Sequence, residues 1–147
     1  MISEAKSIAE LKAMFEDLVA PTILVVDDDR DIRNLICTAL EGFNVEIVTA
    51  KHGGEAVHTI KNYHVDLVLL DLMMPVLNGY EVLEWLDLHD TDLPTVILTG
   101  DPTNPLVLKA LTLGPVLLMQ KPWTIRAFRK VMNYVPFAKA REYAPAT

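Results

Sequence analysis

Five short apolar runs, each followed by a segment of helical periodicity, constrain this chain more than any other feature. They are TILVV (22–26), VEIVT (45–49), DLVLL (66–70), TVILT (95–99) and VLLMQ (116–120). Runs of this length, rich in Val, Ile and Leu, read as strands. The intervening segments repeat apolar residues at helical spacing: Ile32, Ile36, Ala39 and Leu40; Ala56, Val57 and Ile60; Val82, Leu83 and Leu86; Val107, Leu108 and Leu111. After the fifth run, Ile125, Phe128, Met132 and Val135 mark a last helix. Strands that are apolar along nearly their whole length and alternate with helices imply a parallel sheet covered on both faces. The expectation is an α/β, doubly wound, five-stranded parallel sheet. In such sheets right-handed crossovers place ligand chemistry outside the carboxyl ends of the strands, near the point where strand order reverses.

Four of those strand ends carry reactive groups. The first run leads into Asp27 and Asp28 and the third into Asp71; the fourth ends in Thr99 and the fifth in Gln120, followed by Lys121 and Pro122. On one rim they would form a site of three carboxylates, one hydroxyl and one ammonium. Two carboxylates about 4 Å apart repel by about 4 kcal/mol at an effective dielectric of about 20, and a divalent cation relieves that repulsion. All-oxygen ligands suit Mg²⁺, which uses one or two carboxylates and keeps positions for water and phosphate oxygens. An aspartate can also attack phosphorus to give an acyl phosphate. The cation, Lys121 and Thr99 would then neutralise and orient the phosphoryl oxygens. Taken singly, each residue has a plainer role: Asp71 in a turn before MMP, Lys121 on a solvated surface, Thr99 at a strand end. Asp29 and Asp31 read as the cap and dipole complement of the following helix, and for Asp29 the cap is preferred. The combination is what favours a site.

Composition removes other classes. At 147 residues and 51% hydrophobic content the chain is the size of one domain with a substantial core. A formal charge of -7 argues against a surface built for nucleic acid, which needs clustered Lys and Arg. The single cysteine, Cys37, admits no disulfide framework and reads as a packed core thiol in a reducing compartment. The start MISEAKSIAE is unlike a signal peptide, and no apolar run approaches the roughly 20 residues that span a membrane. A cytoplasmic protein is expected. His52, His58, His64 and His89 form no ligand-like cluster and read as surface or helix-end residues.

The segments ILVVDDD (23–29), VDLVLLDLMMPVLNGYEVL (65–83), PTVILTG (94–100) and QKPW (120–123) resemble the receiver domain of two-component response regulators. The likeness spans residues 22 to about 136. It implies a flavodoxin-like sheet of order 2-1-3-4-5 with five helices. It implies that Asp71 accepts a phosphoryl group from the phosphohistidine of a sensor histidine kinase or phosphotransfer protein. Mg²⁺ would be held by Asp28, Asp71 and the Met73 carbonyl, with Asp27 acting through water, and Thr99 and Lys121 would contact the phosphoryl oxygens. A cis Lys121–Pro122 bond is implied too, which the low cis penalty of X-Pro permits. Gly79, in the NG turn, would allow a backbone conformation that other residues resist. No enzyme is implied beyond self-phosphotransfer and autodephosphorylation at Asp71.

Two departures stand out. Leu118 occupies the place where the family often has Tyr or Phe, which puts an aromatic rotamer switch in doubt. Met73 offers no polar side chain to orient an attacking water, so the phosphoryl group should be long-lived. The KPW and LTG endings look like those of receivers joined to cyclic-dinucleotide phosphodiesterase outputs, although Trp123 could equally pack in the core.

Before the first strand, residues 1–20 read as an amphipathic helical extension. Ser7 and Glu10 have capping-box spacing, and Ile8, Leu11, Phe15 and Leu18 form an apolar stripe. Residues 21–136 are the receiver, and 137–147 a short frayed tail too small for an output domain. The chain is thus expected to be a stand-alone or excised receiver that contacts a downstream protein effector. A homodimer is possible through the N-terminal helix or through the face of the fourth helix, fifth strand and fifth helix. Alternatives are an unphosphorylated scaffold receiver, and a Mg²⁺-dependent aspartyl phosphatase of the haloacid-dehalogenase type. The latter needs a second aspartate where Met73 stands.

Overall fold

The computed structural model describes residues 7–11, 20–74, 78–89, 92–113, 117–121 and 123–133. Its strands are β1 (Thr22–Val26), β2 (Glu46–Ala50), β3 (Leu67–Asp71), β4 (Thr95–Thr99) and β5 (Leu117–Gln120). They alternate with α1 (Arg30–Ala39), α2 (Gly53–Asn62), α3 (Gly79–Leu88), α4 (Pro105–Leu111) and α5 (Ile125–Met132). All pairings are parallel and the order is β2-β1-β3-β4-β5. The chain therefore has the doubly wound, flavodoxin-like fold, and order reverses between β1 and β3.

Alternation along the strands fills two cores. Ile23, Val25, Leu67, Leu69, Val96, Leu98 and Met119 meet Ile36, Leu40, Phe128 and Met132 of the α1–α5 side. Leu24, Val26, Val68, Leu70 and Ile97 point the other way, against Ala56, Val82, Leu86 and Val107 of α2, α3 and α4. β3 and β4 are buried at all five positions, whereas edge strand β2 buries only Ala50. Compared with the apolar runs of the sequence, β2 and β3 begin and end one residue later. The β3 shift brings Asp71 into the strand, while Asp66 is left outside to accept a 2.7 Å hydrogen bond from the Thr22 amide.

Each of these helices opens on a side chain that accepts an amide of its first turn: Asp29, His52, Asn78, Asn104 and Thr124. Asp29 is thus the cap expected of it, and His52 is a helix-end residue. Cys37 is half-buried rather than fully packed. At the N-terminal extension, Ser7 Oγ accepts from the Glu10 amide at 3.1 Å, and residues 8–11 are helical with Ile8 and Leu11 exposed. Phe15, Leu18, Val116, Val135, Pro122 with its expected cis bond, and the tail lie outside the described residues. Among the described residues no helix is long and apolar enough to cross a membrane.

Candidate functional site

Register explains why the acidic residues meet. Val26 at the end of β1 pairs with Leu70 of β3, so Asp27 and Asp71 are the next residues on adjacent strands, whose spacing is about 4.8 Å. Asp28 follows on the β1–α1 connection. Asp27, Asp28 and Asp71 each offer a carboxylate oxygen within 4.8 Å of the others. Asp27 and Asp71 are buried and Asp28 is exposed, so the cluster opens to solvent through Asp28.

The Asp27 polar atoms are all engaged. Its amide donates to the Ala50 carbonyl, Oδ1 accepts from the Asp29 amide at 2.9 Å, and Oδ2 accepts from Lys121 Nζ at 2.7 Å. Its carbonyl oxygen accepts from Arg33 Nη1 at 2.8 Å. Lys121 lies 3.7 Å from Asp71 Oδ1, where the Met73 amide also donates at 3.2 Å. Burial, and then the neighbouring Asp27 charge, push the Asp71 carboxyl up to about 6, against the opposing pull of Lys121. One ammonium thus faces a carboxylate cluster whose charges oppose one another. This donor set fits Mg²⁺: oxygen ligands on a half-open rim, with room for water and phosphate oxygens.

The other wall is made by β4 and β5, where Thr99 pairs with Gln120 and the Lys121 amide donates to the Thr99 carbonyl at 2.6 Å. Thr99 is buried, and its hydroxyl accepts from the Asp101 amide at 3.1 Å. Asp101 in turn holds Thr103 through its amide and hydroxyl, bonds that lower the Asp101 pKa.

Gly79 has a different role from the one expected of it. It is the first residue of α3, its φ is not in the left-handed region, and it packs against the end of β3. A Cβ there would overlap the Asp71 carbonyl oxygen and lie 2.6 Å from Leu72 Cα. Close approach, not torsional freedom, requires glycine. Trp123 stacks on Phe128 with ring centroids 4.8 Å apart, which is the core-packing role. Beside Lys121, a cleft of about 380 Å³ is lined by Ile32, Leu35, Gly100 and Trp123. The Met73 side chain is 52% exposed and Leu118 is partly exposed.

Sequence reasoning singled out Asp27, Asp28, Asp71, Thr99 and Lys121, which the fold brings to one rim. It missed Arg33 and Asp101. Arg33 acts on a backbone carbonyl and Asp101 reaches Thr99 through its own amide, and main-chain bonds leave no residue pattern; the available signal for Arg33 was a cation in the first turn of a helix, where the dipole disfavours it.

A five-stranded 2-1-3-4-5 sheet with an acidic cluster and a lysine at its carboxyl rim defines a class of doubly wound α/β domains. The profile of the response regulator receiver domain matches residues 23–133, and the chain belongs to that family. The response regulator SaeR of Staphylococcus aureus is 33% identical over 104 residues, covering 71% of this chain and 45% of that protein. The chain thus spans under half the length of that relative. Among solved structures, the Vibrio cholerae chemotaxis protein CheY4 is 25% identical with a TM-score of 0.71, covering 80% of this chain and 99% of the other. A CheY-like receiver domain from Methanospirillum hungatei is 26% identical with a TM-score of 0.73, covering 85% and 97%.

Proposed function

We propose that Asp71 is the phosphoacceptor of a two-component relay, taking its phosphoryl group from a partner's phosphohistidine with Mg²⁺ bound at Asp27, Asp28 and Asp71. The observation that carries this reading is the Asp71 carboxyl itself, buried at a strand end with two carboxylates in ligand range and the Lys121 ammonium 3.7 Å away. An Asp71 oxygen attacks phosphorus and forms the O–P bond as the partner's N–P bond breaks, and the electron pair leaves on the imidazole nitrogen. Bound Mg²⁺ would keep Asp71 ionised and offset charge on the phosphoryl oxygens, with the Met73 carbonyl as a further ligand. Lys121 pairs with a phosphoryl oxygen once it leaves Asp27, and Thr99 donates its hydroxyl to another. Met73 supplies no group to orient a hydrolytic water, so autodephosphorylation is slow. The chemistry is self-phosphotransfer at one residue rather than turnover of a separate substrate.

The apolar cleft beside Lys121 suits the face of a kinase or phosphotransfer helix bearing the histidine. A downstream effector, or a second copy, is assigned to the face of α4, β5 and α5, where Leu108, Leu111, Leu118 and Ile125 are exposed. Incubation with Mg²⁺ and acetyl phosphate, followed by mass spectrometry, tests the proposal. One added phosphoryl group is expected in the wild type and none in Asp71→Ala. An unmodified wild type would leave the scaffold reading in its place, and an adduct persisting in the variant would move the phosphoacceptor to another residue.

A further inference from the structure

Arg33 sits where a cation is out of place. It lies in the first turn of α1, whose amides already make that end positive, so its charge is opposed by the helix dipole. Its guanidinium is spent on a neutral backbone group rather than a carboxylate of the site: Nη1 donates to the Asp27 carbonyl oxygen at 2.8 Å. The reach follows from helix geometry, because Cα–Cβ bonds tilt toward the helix N-terminus and carry the half-buried Arg33 side chain back over the β1–α1 connection.

That carbonyl belongs to the peptide unit joining Asp27 to Asp28. The unit is planar, so holding its oxygen also fixes the direction of the Asp28 amide and of the bond leading into Asp28 Cα. Asp27 is secured by its own contacts with Ala50, Asp29 and Lys121. Asp28 is exposed and shares none of these contacts, so its carboxylate depends on the backbone for direction.

We infer that Arg33 is a positioning residue for the cation site: by holding the Asp27–Asp28 peptide plane it aims the Asp28 carboxylate at the centre shared with Asp27 and Asp71. The inference rests on the reading of that cluster as a Mg²⁺ site. It carries a sign that electrostatics alone would reverse. Removing a nearby positive charge should tighten binding of a cation; removing the group that aims a ligand should weaken it.

The experiment compares wild type, Arg33→Met, Arg33→Lys and Arg33→Gln in the full chain by Mg²⁺ titration calorimetry, with thermal melts in EDTA as a folding control. Outer-sphere partners of metal ligands change affinity by about 10–100-fold when removed. Arg33→Met should therefore bind Mg²⁺ roughly tenfold more weakly, and Arg33→Lys, which keeps a donor, should recover most of the loss. Arg33→Gln separates donor from charge and should bind more tightly than Arg33→Met. Unchanged or tighter binding in Arg33→Met overturns the inference. A second measurement needs no metal: the amide resonance of Asp28 and the carbonyl resonance of Asp27 in EDTA should shift in Arg33→Met and return toward wild type in Arg33→Lys. If the wild type does not bind Mg²⁺ the function proposed above fails, while these resonances still report whether Arg33 holds the plane; their indifference to Arg33→Met overturns its role.

Discussion

Asp71 is a carboxyl whose surroundings oppose its charge, and that has a measurable cost. Its pKa rises from 3.8 to about 6 on folding without metal, so the folded chain binds the proton more tightly than the unfolded chain. Its contribution to stability is full below about pH 4 and is lost as pH rises through about 6. Asp71→Asn, measured by urea unfolding in EDTA, should gain about 1–3 kcal/mol at pH 7 and little at pH 4. Equal gains at both pH values would mean that the charge is not what is strained. Met73 makes a second prediction at this scale: Met73→Asn places an amide where it can orient water and should shorten the phosphoryl half-life severalfold. A half-life unchanged in that variant refutes the assigned role. The meeting of Asp27, Asp28, Asp71, Thr99 and Lys121 on one rim was legible in the sequence because all of them stand at strand ends on the same side of a parallel sheet. Arg33 and Asp101 were not, since Arg33 bonds a main-chain carbonyl and Asp101 meets Thr99 through its own main chain, contacts that any residue type at the partner position could make.

The elements around the site set its tolerances. α3 begins hard against β3, so Gly79→Ala must displace either the helix start or the Asp71 carbonyl. It should cost about 1–3 kcal/mol and slow acetyl-phosphate labelling. Gly100→Ala is the control, because no neighbouring atom lies within 4 Å of where its Cβ would stand; it should melt like the wild type. If Gly79→Ala labels and melts like Gly100→Ala, the close approach does not constrain the site. The adjoining aspartates divide between elements in the same way. Asp29 caps α1 through the Asp31 amide at 2.9 Å, so Asp29→Ala should cost about 1 kcal/mol and leave Mg²⁺ affinity intact. A large loss of affinity in calorimetry would place Asp29 in the metal site. Element type followed from hydrophobic periodicity, but ends did not. Val45 and Asp66 extend the second and third runs without joining the β2 and β3 ladders, because pairing with the neighbouring strand, not local composition, decides the first and last residue. The NG pair likewise suggested a torsional role for Gly79, since contact between α3 and β3 cannot be read from two adjacent letters.

Over the whole molecule the sheet has two unlike rims. Unbroken apolar strands made burial of both faces legible, while the 2-1-3-4-5 order came from family likeness and required the folded chain to establish it. Asp71, Thr99 and Lys121 all lie at the carboxyl rim, and Lys121 follows directly on β5, which carries the exposed Leu118. β1 begins at the opposite rim, at Thr22, whose amide donates to Asp66. A phosphoryl group at Asp71 would therefore have a short path to the face of α4 and β5, whereas the start of β1 lies at the far rim. Leu108 and Leu111 on that face are 61% and 45% exposed, apolar surface that a partner would cover. Light scattering should thus show that any phosphorylation-dependent rise in mass survives deletion of residues 1–20 and is lost in Leu108→Glu/Leu111→Glu. Ser7, Ile8, Glu10 and Leu11 are exposed, so deletion removes no described core contact. Loss of the phosphorylation-dependent rise on deletion, with the double variant still associating, would assign the interface to the N-terminal extension instead.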